Sequence, residues 1–417
     1  MSSNRMLRRI GLIAPVAVLA AIAASVATGA TGQKHATVVR IWTDADRKAA
    51  VEKVAGAWAT SRGVEVEVVQ KDFGKIRDDL KTVQPETAPD VIVGAHDWTG
   101  QLAADGSVLP LVVPKATLKA FPTYSTNAFS YGTAVKRLYG VPVALENIGL
   151  VVNKSVASVP KTFKQLEASA LKFQKKASGN IGIAVPQGAA GDAYHMYPFF
   201  SGLCGYIFGN NKAGNLDPSD IGVANPKFLK NASLIDKWNK EGLLNSKIDY
   251  GVGKDAFLKG KAAFWITGPW ESDTLKKSGL KYTIAPFPNI VQGCQSVPFL
   301  GVQGFMVTKF STVHGTESAA KDFVAGYLTR ADSQAALAAA NGRFPANTDA
   351  GKLVTDPVLR LFGKASVGGV PMPNIPQMSA VWSELGGAWV KSTKGPGATP
   401  AKRSFTAASR NIANKIG

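Results

Sequence analysis

The chain has 417 residues, yet only two cysteines, Cys204 and Cys294, and four histidines, His35, His96, His195 and His314. The histidines lie far apart and no Cys/His spacing resembles a zinc site, so no metal is expected. A phosphate-cradling Gly-x-x-x-x-Gly-Lys-Ser/Thr loop is missing. So is the Gly-x-Ser-x-Gly turn that would present a nucleophilic serine. No internal repeat and no low-complexity linker interrupts the chain. These absences favour binding over catalysis, and no cofactor is expected.

Hydrophobic residues make up 45% of the chain and mean hydropathy is +0.02, the balance of a globular protein long enough for two packed domains. The net charge of +19 comes from 48 Lys and Arg against 29 Asp and Glu, but the basic residues are scattered among acidic ones. That pattern is a solvated surface with weak attraction for anionic polymers of the cell envelope, not a nucleic-acid stripe. Arg5, Arg8 and Arg9 precede an apolar run from Ile10 to Ala23 and small residues up to Ala30. Residues 1–30 read as a secretory signal, with an uncleaved anchor as the alternative. No cysteine follows the run to carry a lipid. Export to the periplasm or the outer face of the membrane places Cys204 and Cys294 in an oxidising compartment, where an even pair is expected to bridge; two buried thiols are the alternative.

From Val38 strand and helix patterns alternate. Val38–Trp42 reads as a buried strand, Ala50, Val51, Val54 and Trp58 follow at helical spacing, and Val64–Val69 is a second strand. A helix near Ile76–Val83 and the strand Asp90–Val93 extend this βαβ unit, which predicts a parallel sheet flanked by helices. Helices are expected around Phe163–Lys175 and Asn231–Glu241 in a second α/β segment.

Chemistry-bearing residues gather at loop positions. In Met372-Pro373-Asn374-Ile375-Pro376-Gln377-Met378-Ser379-Ala380-Val381-Trp382, two prolines force an extended entry that ends where an indole is delivered at a helix start. Gly268-Pro269-Trp270 offers a second indole. Asp44, Asp46 and Arg47 follow the first strand, and His96-Asp97-Trp98 follows Val91–Val93, at the carboxyl ends where open α/β sheets bind ligands. Carboxylates suit sugar hydroxyls and aromatics suit sugar ring faces.

These segments resemble those of the maltose and maltodextrin-binding proteins, extracytoplasmic receptors of sugar ABC importers, and the likeness runs from about Val38 to the C-terminus. It implies an α/β fold of the two-domain periplasmic-binding type II class. One lobe would comprise residues 37–145 plus 303–350 and the other 148–300 plus 356–417, with the ligand in the cleft between them. By that likeness Asp46, Arg47, Asp97, Glu146, Asp192, Tyr194, Trp270 and Trp382 bind the sugar, and Trp98 supplies an aromatic beside them. The pattern departs from the family at Gly94, where a tryptophan is usual, at Trp98 in place of arginine, at Asp192 in place of glutamate and at Gly386 in place of arginine. A plain structural role competes at several positions. Asp44 or Asp46 could cap the following helix, Trp98 could be a packed aromatic, and Glu146 could sit in a salt bridge.

The resemblance implies a monomeric receptor, not an enzyme, that captures a maltodextrin and hands it to the permease subunits of a membrane transporter, with no nucleic acid among its partners. A glycoside hydrolase using Asp97 and Glu146 is the enzymatic rival. A receptor of the same fold for another oligosaccharide, such as a cyclodextrin, is the other.

Overall fold

The computed structural model describes residues 37–132 and 135–417, and the expected leader at 1–30 lies outside them. Strand β1 (Val38–Thr43) leads into helix α1 (Ala45–Arg62). Asp44 caps that helix, its carboxylate accepting from the Arg47 N–H, and Gly63 closes it in the left-handed region. Both ends thereby satisfy backbone groups that a helix leaves open. Val51, Val54 and Trp58 of α1 are buried at helical spacing. Strand β2 (Glu65–Gln70), helix α2 (Phe73–Thr82) and strand β3 (Val91–Ala95) follow, and β2 and β3 pair with β1 in parallel on its two sides.

Strand β4 (Gly140–Glu146) is separated by only Asn147 and Ile148 from β5 (Gly149–Asn153), which belongs to a different sheet. Helix α3 (Phe163–Gln174), β6 (Ile181–Ala184), β7 (Ala262–Thr267) and β8 (Tyr282–Ala285) come next. The chain returns through β9 (Phe299–Val307), then forms α4 (Ala331–Asn341), β10 (Phe344–Pro345), β11 (Val370–Pro371), α5 (Val381–Thr393) and α6 (Ala401–Ile416).

The first sheet has the order β10-β4-β9-β3-β1-β2, with β11 paired to β9, and the second has four strands in the order β8-β5-β7-β6. The expectation of a parallel sheet holds for β1, β2 and β3 and fails at β9, which is antiparallel to both β3 and β4. The reason is topological. β4 leaves towards the second sheet and β9 comes back beside it, so it must run the other way, whereas parallel neighbours need a crossover within one sheet.

Glu146 and Gly301 are register partners at this junction, and Ala95 lies opposite Gln303. The exits of β1, β3 and β4 and the entry of β9 therefore meet where the chain passes between the sheets. The segment after β11 is tied to the segment around Asn127–Ser130. Asn374 donates to the carbonyls of Asn127, Ala128 and Ser130 at 3.0–3.1 Å. A Cβ at Gly100 would strike the Asn374 carbonyl oxygen at 2.3 Å, so glycine permits the approach. Cys204 and Cys294 form a disulfide with Cα atoms 5.1 Å apart. Cys204 is the one non-glycine residue in the left-handed region among the described residues.

Candidate functional site

The junction gathers a continuous set of polar and aromatic side chains. Glu146, 9% exposed at the end of β4, takes the Gln303 amide N–H on one oxygen at 2.5 Å and Arg343 Nε on the other at 3.1 Å. The partner that a buried carboxylate requires is thus a buried arginine. Arg343 had no signature in the sequence. It sits between the end of α4 and β10, and only the pairing of β10 with β4 carries it to Glu146.

Asp46, in the first turn of α1, keeps its carboxylate exposed and lies 3.8 Å from Arg343 Nη2. Arg47 turns the other way. It is buried, its Nη1 donates to Asp44 at 2.6 Å, and its guanidinium lies over the Phe73 ring at 4.8 Å. Burial and the nearby Arg343 charge lower its pKa. Asp44 is therefore the cap. Arg47, expected as a sugar ligand, is engaged by the cap and the ring, and its buried Nε has no partner among the described residues.

Beyond β3, His96 is fully buried. Its Nδ1 accepts from the Val302 N–H at 3.1 Å and its Nε2 donates to the Met372 carbonyl at 3.0 Å. That pattern requires the neutral ring, and burial lowers the His96 pKa accordingly. One imidazole so joins β3, the returning strand β9 and the segment before Trp382. Asp97 next to it is 5% exposed and accepts the Trp382 Nε1–H at 3.0 Å, and burial raises its pKa.

Trp98 is 6% exposed and packs against Phe73 with centroids 5.0 Å apart. A Cβ at Gly94 would lie 2.4 Å from its ring. The absent side chain at 94 is what lets Trp98 fold down over the strand. Trp98 offers almost no free face, and packing replaces the aromatic platform expected there.

From the second sheet's side, the turn Asp192–Met196 delivers Tyr194. Its ring stacks on Phe299 at 6.2 Å and lies 6.4 Å from Trp270. Its hydroxyl is buried without a partner among the described residues, and a Cβ on Gly301 would come within 3.4 Å of that hydroxyl and 2.9 Å of Glu146 Cγ. Burial, then the charges of Glu146, Asp192 and Asp97, push the Tyr194 pKa well up. The hydroxyl stays protonated and able to donate.

Trp270 follows Gly268-Pro269, is half-buried, and donates its Nε1–H to the Tyr250 hydroxyl, which in turn donates to Glu271 at 2.7 Å. Trp382 at the start of α5 is half-buried and stands edge-on to Phe299 at 5.9 Å. Asp192 is captured locally. Its two oxygens take the His195 N–H at 3.0 Å and Nδ1 at 2.6 Å. Burial pushes its pKa up, but its interactions with His195 outweigh this and leave it low.

Gly386, the other departure, also has a steric cause. A Cβ on Gly191 would come 2.2 Å from the Gly386 carbonyl oxygen, and one on Gly386 would come 3.2 Å from the Ala190 carbonyl oxygen. The turn that carries Asp192 rests directly on α5, where an arginine would pry the two apart.

The profile of the bacterial extracellular solute-binding protein family matches residues 24–359. A galactooligosaccharide-binding protein of Bacillus subtilis is 29% identical over 82% of this chain and 81% of its own length. The maltodextrin-binding protein of the same organism is 27% identical over 83% of this chain and 82% of its own. Among solved structures, a Thermus thermophilus maltotriose-binding protein bound with maltotriose superposes with a TM-score of 0.79 at 29% identity, covering 91% of this chain and 100% of that one.

Proposed function

Because the chain belongs to the bacterial extracellular solute-binding proteins, a family of receptors and not of enzymes, we propose that it captures linear α-1,4-linked glucose oligomers of the maltodextrin type. It then hands them to the permease subunits of a membrane ABC transporter. The two-lobed α/β fold with chain crossings between its sheets suits closure around a ligand. The location is extracytoplasmic, and the working unit is a monomer with no cofactor and no nucleic-acid partner.

The observation that carries the sugar reading is the Tyr194 hydroxyl, a buried donor without a partner among the described residues, in the same junction as Glu146, Asp97 and the half-buried indoles of Trp270 and Trp382. An unpaired buried hydroxyl costs about 1–3 kcal/mol. A sugar hydroxyl would relieve that cost while a pyranose face covers an indole, worth roughly 1 kcal/mol beyond the area buried. The named sugar-binding relatives support the class, and both maltodextrin and galactooligosaccharide occur among their ligands.

Calorimetric titration of the mature chain with maltose, maltotriose, β-cyclodextrin and a galactooligosaccharide, with lactose as control, tests the proposal. Saturable heat with maltotriose at micromolar affinity is expected. Binding of the galactooligosaccharide alone would move the receptor to that ligand. No heat with any sugar, from folded protein, would end the oligosaccharide reading.

A further inference from the structure

Beside the proposed sugar contacts lies a buried imidazole that has no role in them. His195 is 7% exposed, and its Nε2 is buried with no hydrogen-bond partner among the described residues. Its ring stands edge-on to Tyr194 at 5.5 Å, to Tyr250 at 5.8 Å and to Trp270 at 5.8 Å. It thus touches both aromatics assigned to the sugar on the second-sheet side, and also the tyrosine that accepts the Trp270 N–H.

One carboxylate orients this ring. Asp192 takes the His195 backbone N–H and Nδ1 with its two oxygens. A carboxylate at 2.6 Å from Nδ1 fixes the proton on that nitrogen and leaves the buried Nε2 lone pair among the aromatic rings. The opposite tautomer would bury an unpaired Nε2–H and set a lone pair against a carboxylate. With both oxygens of Asp192 engaged, its influence on a ligand passes through the imidazole.

We propose that Asp192 and His195 form a positioning dyad: Asp192 sets the His195 ring, and the ring sets Tyr194 and Trp270 as the sugar-facing surface. This rests on the oligosaccharide reading and reassigns Asp192 from sugar contact to support. His195 is the specificity-determining residue of that wall, because its size and tautomer set the distance between the two aromatics.

Two measurements test it. The first needs no ligand: long-range ¹⁵N correlation spectra of the whole protein at neutral pH report which His195 nitrogen carries hydrogen. A proton on Nδ1, lost or shifted to Nε2 in Asp192→Asn, is expected, together with movement of the Trp270 indole N–H signal in Asp192→Asn and in His195→Phe. A proton on Nε2 alone, or an unmoved Trp270 signal, overturns the dyad.

The second is a double-mutant cycle in maltotriose affinity. Asp192→Asn and His195→Phe are each expected to weaken binding by about tenfold, and the double variant to be no weaker than His195→Phe within about twofold. Additive loss, about a hundredfold in the double variant, would mean that Asp192 touches the sugar directly and would refute the proposal. If the wild type binds no oligosaccharide, the receptor reading falls separately, and the nitrogen measurement still decides the dyad.

Discussion

Replacing Arg343 by leucine strands a charge, and the size of the effect follows from the burial of the pair. Arg343 is 4% exposed and Glu146 9%, and they meet at 3.1 Å. Leucine leaves the Glu146 carboxylate with only the Gln303 amide as donor in an environment that excludes water. Removing one partner of a buried ion pair costs about 3–5 kcal/mol, because the remaining charge keeps its desolvation penalty. Urea unfolding followed by tryptophan fluorescence at pH 7.5 reads the loss. Adding Glu146→Gln to Arg343→Leu is expected to recover most of the loss at pH 7.5. A loss below about 1 kcal/mol, unrelieved by the second substitution, would show that the pair is solvated.

Three further outcomes are expected. His96 has a lowered pKa through burial, so the unfolded chain binds a proton that the folded chain refuses; stability is full above about pH 6.5 and falls as pH drops below it towards the folded value. His96→Gln, whose amide can serve both Val302 and Met372, is expected to flatten that fall in pH-dependent denaturation, and an unchanged slope would contradict the neutral pairing. Tyr194→Phe removes an unpartnered buried hydroxyl, so the ligand-free protein should unfold at the same or a higher temperature while sugar affinity drops by about tenfold; loss of both together would mean the hydroxyl has a protein partner. Reducing the Cys204–Cys294 bridge, which spans 90 residues of sequence, should destabilise by up to about 4.6 kcal/mol on the loop-closure estimate, and no change in the thermal midpoint would mean that the reduced chain stays ordered across that loop.

Much of the first sheet was legible because β1, α1, β2, α2 and β3 are local: each is a short apolar run or a helical spacing bounded by turn residues. The reversed direction of β9 was not, since nothing within Phe299–Val307 records which sheet the chain has just left. Asp97, Trp270 and Trp382 could be picked out because each sits at a strand exit or at a proline-bounded turn, Glu146 and Tyr194 came from the family resemblance, and the fold brings all five to one junction. Arg47 and Asp192 were expected by resemblance to contact the sugar, although each has an opposite partner three residues away, Asp44 and His195, at the spacing that lets neighbouring turns meet. That signal was present and weak. Arg343 carried none, because its partner is 197 residues distant and only strand pairing joins them. Gly94 and Gly386 look like lost contacts in one dimension. In three, the first makes room for Trp98 and the second lets α5 touch the turn at Gly191.

A crystal structure of the protein grown with maltotriose tests the central claim most directly. The account requires the sugar at the junction of the two sheets, with a glucose hydroxyl bonded to the Tyr194 hydroxyl and to Glu146 or Asp97, and a ring face on Trp270 or Trp382. Sugar bound on an outer face of either sheet, with the Tyr194 hydroxyl still unpaired, would contradict it.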